Sequence, residues 1–353
     1  MIINKKIRVG ILGATGMVGQ RFISLLENHP WFEVVSVAAS PQSAGKKYSE
    51  VMNGRWNMKT LIPEKVRDII IKAVEKDFDE IAKEADLIFS AIDLDKEKIK
   101  EIEERYAAAG VAVVSNNSAH RWTEDVPMVI PEINPHHLSL IDIQRKNRGW
   151  KKGLLVVKPN CSLQSYLPVV YALKEFKPKY VFVTTLQAIS GAGKTFESWP
   201  EIADNCIPFI KGEEEKTEKE PMKIWGAGCP DISATCIRVP ISDGHMASVA
   251  VKFEKKPLPE EIINAIEDFK NPLGGLELPS APEKFIHYLS EDDRPQTKLD
   301  RDYENGMGIT CGRFRGDKNL DWKFVALSHN TIRGAAGGAI LIAELLYKKG
   351  YLK

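Results

Sequence analysis

The sequence lacks long hydrophobic runs and any marked excess of charge, and each absence excludes a class of protein. No apolar stretch reaches the roughly 18 residues that a membrane-spanning helix needs. The 49 basic and 48 acidic residues leave a net charge of +1, so bulk charge attracts the chain neither to nucleic acid nor to a membrane surface. We therefore expect no nucleic-acid or membrane partner. Because the first residues lead directly into a predicted strand, we also expect no signal peptide.

Cysteine is also scarce. Five cysteines in 353 residues do not make a disulfide framework, and no Cys-x-x-Cys pair suggests zinc binding or redox exchange. We expect no metal site, and we expect a reducing, cytoplasmic setting, which is the setting that a catalytic thiol needs. The five are Cys161, Cys206, Cys229, Cys236 and Cys311.

The composition provides material for two hydrophobic cores, since 43% of the 353 residues are hydrophobic. In the first half, short apolar strands alternate with segments of helical periodicity. This alternation predicts an α/β domain with a Rossmann-type doubly wound parallel sheet, which we place at residues 1–157. The predicted strands are 7–12, 34–37, 67–73, 86–91 and 111–115, and the predicted helices are 18–29 and 95–108.

The second half has longer strands with alternating polarity, which indicate a mixed or antiparallel sheet and an α+β domain over residues 158–329. A terminal helix within 330–353 is expected to pack back on the first domain. The stretch 211–223, rich in lysine and glutamate, is typical of a solvated helix face. Strands are predicted at 154–157, 180–186, 235–239, 247–253 and 324–327, and a helix at 162–175.

A glycine-rich turn follows the first predicted strand and opens a helix, as a dinucleotide site requires. Gly13 permits a tight turn, Gly16 lets the backbone approach a pyrophosphate, and Gly19 allows close packing of helix on strand. The helix N-terminus favours the negative charge. The alternative is a glycine-rich connection that only packs. The residues expected to contact a dinucleotide here are Gly13, Thr15, Gly16, Met17 and Val18.

The end of the second predicted strand indicates which dinucleotide is bound. An NAD site usually carries an acid there for the ribose 2′-hydroxyl. This chain has Ala-Ala-Ser-Pro-Gln-Ser over 38–43, with Lys46 and Lys47 close by. The hydroxyls of Ser40 and Ser43 and nearby lysines can accommodate a 2′-phosphate, so NADP is favoured over NAD. The alternative is a polar loop with no role in selection.

Cys161 and His245 are the candidate reactive side chains. Cys161 lies between a predicted strand and a predicted helix, and a helix N-terminus lowers the pKa of a thiol. His245 lies in a turn between two predicted strands, and an imidazole can pass protons to and from a thiol or an oxyanion. By themselves, such residues are more often a small buried hydrophobe and a surface histidine.

The order and spacing of several motifs resemble the aspartate-semialdehyde dehydrogenases of the archaeal and fungal branch, over almost the full chain. The motifs are Gly-Ala-Thr-Gly-Met-Val-Gly (13–19), Pro-Asn-Cys-Ser (159–162), Gln-Ala-Ile-Ser-Gly-Ala-Gly (187–193), Arg-Val-Pro (238–240), Asp-Gly-His (243–245) and Asn-Thr-Ile-Arg-Gly-Ala-Ala-Gly (330–337).

The resemblance implies a reaction and a role for each matching residue. Aspartyl phosphate would be reduced by NADPH to aspartate semialdehyde, through a cysteine thioester, in the biosynthesis of lysine, threonine, methionine and isoleucine. The second domain would be catalytic and would build a homodimer or homotetramer. Cys161 would be the nucleophile, His245 the acid–base, Gln187 the group that orients the acyl intermediate and Asn160 a neighbour of the oxyanion or phosphate. Substrate would be bound by Arg121, Glu213, Lys216 and Arg238, and the nicotinamide half of NADP by Ser190, Gly191, Gly193 and Asn330.

The chain departs from the family pattern close to the expected active site. Ser-Leu-Gln follows Cys161, Lys158 stands where many members have Asn or Thr, and Lys194 stands where an aromatic residue is common. The loop 224–232 is also short. These departures bear on substrate detail more than on reaction class.

Two rival functions remain at this point. An acyl-CoA reductase of the malonyl-CoA type shares the Cys–His pair but would not need the Glu-x-x-Lys pair of Glu213 and Lys216. A non-catalytic NADP-sensing protein could share the fold. Such a sensor would have no need for four residues together: Cys161, Gln187, Arg238 and His245.

Overall fold

The first half of the chain forms a six-stranded parallel sheet in the order β3-β2-β1-β4-β5-β6. The computed structural model describes residues 5–352, so residues 1–4 and 353 of the predicted domains lie outside the described part. This strand order is that of the doubly wound dinucleotide fold, and the predicted fold class is confirmed. The elements are β1 (Ile7–Leu12), α1 (Met17–Leu26), β2 (Phe32–Ala39), α2 (Tyr48–Met52), α3 (Glu64–Arg67), β3 (Lys72–Ala73), α4 (Phe78–Glu84), β4 (Leu87–Ser90), α5 (Lys96–Ala108), β5 (Ala112–Ser115), α6 (Leu140–Arg148) and β6 (Leu154–Val157).

The central strands form because their sequences are apolar on both faces. β4, β5 and β6 are buried at every position, as expected for strands that are covered by helices on both sides. The helix α5 begins where Asp95 caps it, because the Asp95 carboxylate accepts a hydrogen bond from the backbone N–H of Lys98 at 3.0 Å.

The strand predicted at 67–73 is mostly wrong. A short helix, α3, occupies 64–67, and only Lys72 and Ala73 pair with β2. The β-branched run 69–71 suggested a longer strand, but this strand lies at the edge of the sheet. Ile70 is 48% exposed there, whereas Ile71 is buried in the core. Of the three isoleucines in this run, only Ile71 is therefore buried in the core.

The second half contains a mixed six-stranded sheet in the order β10-β11-β12-β9-β7-β8. β10 and β8 pair in parallel with their neighbours, and the inner pairs are antiparallel. The elements are α7 (Leu163–Ala172), β7 (Pro178–Gln187), α8 (Glu213–Trp225), β8 (Asp231–Arg238), β9 (His245–Phe253), α9 (Pro259–Glu267), β10 (Ile286–Leu289), α10 (Thr297–Asp300), β11 (Ile309–Gly316), β12 (Trp322–Ser328) and α11 (Gly337–Lys348). Short 3₁₀ helices lie at 135–139, 174–176, 189–192, 200–202 and 303–306.

The terminal helix α11 returns to the parallel sheet. Its apolar residues, such as Ile340 and Leu345, are fully buried in the core that includes Phe22 and Val114. A single wide turn of π-helix, Ile332–Ala336, precedes α11 and brings Gly334 close to Cys161. In the range 5–352, no helix is long and apolar enough to cross a membrane.

Candidate active site

The loops at the carboxyl ends of β1, β2, β3 and β4 line one cleft, at the point where the strand order reverses. Nucleotides bind at such a point because loops from neighbouring strands separate there and leave a crevice. Of the residues predicted to bind a dinucleotide, those that line the cleft are Gly13, Thr15, Gly16 and Ser40. Met17 and Val18 begin α1 just behind the turn.

Glycine is favoured at positions 13, 16 and 19 for three different physical reasons. Gly13 has φ +82°, and a Cβ there would lie 2.2 Å from the carbonyl oxygen of Ala91. A Cβ on Gly19 would lie 2.2 Å from the carbonyl oxygen of Gly13, so α1 can approach the turn only without a side chain. At Gly16 a Cβ would meet only the Gly13 oxygen, at 3.5 Å. The Gly16 backbone therefore faces open space at the N-terminus of α1, which fits a pyrophosphate.

The cleft also contains a lysine that sequence reasoning missed. Lys76 lines it with Ser40, whereas Lys47 pairs with Asp68 at 2.9 Å outside the cleft lining. Ser43 is buried and does not line the cleft. Lys76 could have been predicted from its position shortly after a predicted strand, since the carboxyl ends of parallel strands meet at one edge of the sheet.

The thiol of Cys161 lies between β6 and α7. Its Sγ is 3.4 Å from Nε2 of His245, so the structure brings together the two side chains with predicted reactive roles. Burial, with the carboxylate of Glu213 adding, raises the pKa of the Cys161 thiol to about 11. The lowered pKa expected at a helix N-terminus does not result, because desolvation outweighs the cations near the sulfur. Those cations are Lys158, Arg121 and Arg238.

The ring of His245 is fully buried at the start of β9. Burial, with Arg238 adding, lowers the pKa of His245 to about 3, so the ring is neutral at neutral pH. The backbone N–H of Ala188 donates to Nδ1 at 3.1 Å, which leaves the ring proton on Nε2, facing Cys161. The Gly244 backbone acts in the opposite direction and raises the pKa of His245, but it is the smallest of the contributions. The group with hydrogen-bond geometry to Nδ1 is the N–H of Ala188.

Glu213 is the centre of a polar network beside the thiol. Both of its oxygens accept from the Asn160 amide, at 2.9 and 3.0 Å, and Gln187 donates to one of them at 3.3 Å. Lys216 donates to the other at 2.7 Å. Burial favours protonation of Glu213, but Lys216 and the two amides outweigh it and hold the pKa of Glu213 below its usual range. A carboxylate therefore persists within the site.

The stretch 211–223, predicted to form a solvated helix face, lies largely in α8, which has an exposed face at Glu215 and Lys219 and also a buried one. Along α8, Glu213, Thr217 and Glu220 are buried on one face and point at the nucleophile loop. Their spacing of four and three residues is that of one helix face. The charge composition did not predict this buried face. Three glutamates are adjacent at the start of α8, and composition does not show which of them face inward.

Glu220 is a site residue that the sequence did not identify. Its fully buried carboxylate accepts from Arg121 Nη1 at 2.8 Å and from the backbone N–H of Asn160 at 2.7 Å. Arg121 also donates to the carbonyl oxygens of Lys158 and Asn116. The carboxylate thus fixes both the arginine and the backbone next to the nucleophile. Glu220 could have been identified from its spacing, because a residue seven positions after Glu213 lies on the same face of a helix.

Arg238 and the turn 189–193 close the other side of the site. Arg238 is buried, and its Nη1 donates to the carbonyl of Ala188 at 2.6 Å. A Cβ on Gly191 would lie 3.0 Å from Arg238 Nη1 and 3.1 Å from His245 Nε2, so the turn lies directly over the imidazole. Any side chain on Gly191 would fill that space.

The residues predicted for the nicotinamide half also come together. Asn330 donates to Ser190 Oγ at 2.9 Å and accepts from the backbone N–H of Gly244 at 2.8 Å. Gly193 ends the 3₁₀ turn with φ +67°. Asn330 therefore joins this turn to the loop that carries His245. No cluster of three or more His, Cys, Asp or Glu side chains that could hold a metal lies within residues 5–352.

Comparisons with known proteins agree with this arrangement. Residues 8–141 match the NAD binding domain, and residues 168–333 the dimerisation domain, of semialdehyde dehydrogenase. The chain is 46% identical to the aspartate-semialdehyde dehydrogenase of Archaeoglobus fulgidus, over 97% of this chain and 98% of that one. It is 40% identical to that of Saccharomyces cerevisiae, over 99% of both. The crystal structure of aspartate semialdehyde dehydrogenase with NADP from Candida albicans superposes with a TM-score of 0.85, at 38% identity, over 98% of this chain and 100% of that one.

Proposed function

The chain belongs to the aspartate-semialdehyde dehydrogenase family, and we propose that it converts L-4-aspartyl phosphate to L-aspartate 4-semialdehyde and phosphate through a thioester on Cys161. The observation that carries this proposal is the contact of 3.4 Å between the Cys161 thiol and His245, beside the network of Glu213. A thiol acyl acceptor, an imidazole and a carboxylate with its lysine are the groups that this chemistry requires.

Cys161 is the nucleophile of the proposed reaction. Its sulfur attacks the acyl carbon, the bond to phosphate breaks, and a thioester results. Nε2–H of His245 is directed at the sulfur, so it can donate to the sulfur or to the oxygen of a tetrahedral intermediate that forms there. The amide of Asn160 is held by Glu213 and orients this corner of the site.

Substrate recognition needs cations for two anionic groups and a carboxylate for an ammonium. We assign Arg238 to the α-carboxylate, since a guanidinium fork fits a carboxylate. We assign Glu213 to the ammonium and Lys216 to the phosphate, with Arg121 as a second phosphate ligand. Lys216 is suited to this role because its side chain is 29% exposed and reaches the open part of the site. Arg121 has its orientation set by Glu220.

NADP is the proposed cofactor, and its reduced form, NADPH, would supply the hydride that reduces the thioester to the aldehyde. The turn of Gly13 to Gly16 would hold its pyrophosphate, and Ser190 with Asn330 would border its nicotinamide. Ser40 and Lys76 would hold the 2′-phosphate, since both line the cleft and no carboxylate ends β2. The carboxylate of Glu75 also lines the cleft, but it is paired with Lys98 at 2.8 Å. A lysine there attracts a phosphate, and a carboxylate would repel it.

We further propose a homodimer built through the mixed sheet, in a cytoplasmic setting. The outward face of β7 carries Tyr180 and Phe182, which are 48% and 53% exposed. Their inward neighbours Val181 and Val183 are buried, so the strand is apolar on both faces. A second copy of the chain would cover the outer face. The five cysteines are all free, which is consistent with a reducing compartment.

Absorbance of reduced cofactor tests the function. Aspartate semialdehyde, NADP and phosphate are supplied together, and each is then omitted in turn. We expect rapid reduction that requires phosphate and is faster with NADP than with NAD. Cys161→Ala should abolish turnover and still bind NADP. An intact protein that binds NADP but shows no reduction would contradict the proposal, and reduction of malonyl-CoA by that protein would favour the acyl-CoA reductase.

A further inference from the structure

The turn between β1 and α1 contains backbone carbonyl groups as well as N–H groups, and only the N–H groups can bind a pyrophosphate. A carbonyl oxygen that turned into the cleft would repel the anion. Ala14 and Thr15 supply two consecutive carbonyls between Gly13 and Gly16. Each of these carbonyls accepts a hydrogen bond from a side chain that does not line the cleft.

Tyr48, the first residue of α2, binds the carbonyl of Ala14. The Tyr48 side chain is fully buried, and its hydroxyl oxygen lies 2.9 Å from the Ala14 oxygen. Burial raises the pKa of the Tyr48 hydroxyl, which therefore stays protonated and donates. The ring packs edge to face with Trp56, and the backbone N–H of Tyr48 donates to the carbonyl of Ile69 at 2.9 Å. Both the ring and the backbone of Tyr48 are thus held in place.

Gln20, on α1, binds the carbonyl of Thr15 and is 2% exposed. Its Nε2 donates to the Thr15 oxygen at 3.1 Å, and its Oε1 accepts from the backbone N–H of Asn57 at 2.8 Å. One partner is an acceptor and the other is a donor, so the two bonds together fix the orientation of the amide. Gln20 therefore connects the turn to the segment 48–57, which begins with Tyr48.

The turn is also held by β2. The backbone N–H groups of Gly13 and Ala14 both donate to the carbonyl of Ala38, at 2.9 and 3.0 Å. The two carbonyls and these two N–H groups are therefore occupied within the protein. The groups left for a ligand include the first N–H groups of α1, which have no acceptor within the helix. The arrangement leaves donors, and not acceptors, on the side of the cleft.

Burial alone does not distinguish Tyr48 and Gln20 from other polar residues, because buried polar groups are generally hydrogen-bonded whatever their function. The distinguishing observation is that they converge. Two side chains from different helices bind consecutive carbonyls, and these carbonyls belong to the one turn whose backbone faces the proposed pyrophosphate.

We propose that Tyr48 and Gln20 set the affinity for the cofactor by holding the carbonyls of Ala14 and Thr15 away from the pyrophosphate. This deepens the proposed function and rests on its placement of NADP in the cleft. Neither residue touches the cofactor, so both are positioning residues.

The proposal predicts a selective loss of affinity. Without its side-chain partner, a carbonyl is free to rotate towards the cleft, and part of the free protein then has a turn that repels the pyrophosphate. The apparent affinity falls with the fraction of protein that keeps the binding-competent turn. A ligand that lacks the pyrophosphate does not meet this turn, so its affinity should not change.

The test compares two ligands by isothermal titration calorimetry, NADP and adenosine 2′-phosphate. The second ligand has no pyrophosphate but carries the phosphate assigned to Ser40 and Lys76. In Tyr48→Phe we expect the Kd for NADP to rise about threefold to tenfold, as for the loss of one buried hydrogen bond. The Kd for adenosine 2′-phosphate should stay within about twofold. Gln20→Met, which acts on the other carbonyl, should give the same selective loss.

Tyr166→Phe is the matched control. Tyr166 is also fully buried, and its hydroxyl donates to the backbone carbonyl of Thr217 in the second domain, again at 2.9 Å. This variant should lose about as much thermal stability as Tyr48→Phe and bind NADP with an unaltered Kd. The proposal is overturned if NADP binds normally to both Tyr48→Phe and Gln20→Met, if both ligands weaken equally, or if Tyr166→Phe weakens NADP as much.

These measurements involve no turnover, so their outcome is separate from that of the phosphate-dependent assay. A protein that binds NADP with the expected selectivity but reduces no cofactor would support the positioning role and contradict the proposed reaction. If the unaltered protein does not bind NADP, the placement of the cofactor is wrong and this proposal fails with it.

Discussion

Replacing Gly334 with alanine tests whether the terminal helical segment holds the nucleophile in place. The new methyl group would lie 2.8 Å from Cys161 Cβ, 3.3 Å from its Cα and 3.4 Å from its carbonyl oxygen. All three nearest atoms belong to Cys161, so the strain falls on the nucleophile. An ordinary contact requires a displacement of about 0.6 Å or more between the two segments.

The expected loss of activity is larger than the loss of stability. A misplacement of about 1 Å at reacting atoms costs roughly 100-fold in rate, so a displacement of this size should lower kcat/KM by roughly 10- to 100-fold. Overpacking costs about 1–3 kcal/mol, and alanine regains about 1 kcal/mol of helix propensity. The melting temperature should therefore change by only a few degrees. NADP affinity should stay within about twofold, because the cleft proposed for the phosphates of NADP does not include Gly334.

Gly316→Ala is the matched control for Gly334→Ala, since a Cβ there meets nothing within 4 Å and its backbone does not require glycine. Steady-state kinetics, NADP titration and thermal unfolding are measured on both variants. If Gly334→Ala retains kcat/KM within about threefold of the unaltered protein, the contact is not a constraint on the nucleophile, and the reasoning is refuted.

Four further variants test substrate binding, a buried ion pair and pH dependence. Arg238→Leu should raise KM for aspartate semialdehyde by roughly 100-fold, since two charged hydrogen bonds are lost; a near-normal KM would remove Arg238 from the site. Glu132→Gln removes the charged partner of Arg333, which is 1% exposed and donates from Nη1 and Nη2 to the Glu132 carboxylate at 2.6 Å. The free energy of unfolding, measured by heat or urea, should fall by about 3–5 kcal/mol. The double variant Glu132→Gln/Arg333→Met should be more stable than Glu132→Gln; equal or greater loss would contradict this. The fork of Arg148 holds the pKa of Asp125 below its usual range, so this pair stabilises the fold above about pH 4 and the effect disappears as pH falls through the lowered pKa. Asp125→Asn should therefore cost about 1.5–3 kcal/mol from pH 7 down to about pH 4 and progressively less below that pH, measured by urea unfolding, and a cost that stays constant below pH 4 would refute the assignment.

Local patterns predicted most of the first domain. Strands that are apolar on both faces, such as β4 and β5, can be predicted directly from the sequence. Because helices cover both faces, almost every position in these strands is apolar. The turn of Gly13 to Gly19 is local in part: a side chain on Gly19 would meet Gly13 itself, whereas a side chain on Gly13 would meet Ala91, which is distant in sequence. The segment 67–73 was misjudged because an apolar run does not reveal that its strand lies at the edge of the sheet.

The candidate site depended on distance in space. Cys161 and His245 lie 84 residues apart, and their contact forms only because the end of β6 and the start of β9 lie close together in space. The resemblance to a family predicted the roles of both residues. It did not predict a role for Glu220, which depends on the hydrogen bonds that Glu220 accepts from Arg121 and from the backbone of Asn160. A glutamate in a charged helix has no distinguishing local feature.

By itself, the sequence determined which strands are buried, where a phosphate can approach the backbone and which thiol is a candidate nucleophile, because these depend on neighbours in the chain. Only the tertiary structure decided the protonation of that thiol. Burial, Glu213 and the surrounding cations set it together, and they come from separate elements. Desolvation is a property of everything packed around an atom, so no stretch of sequence encodes it.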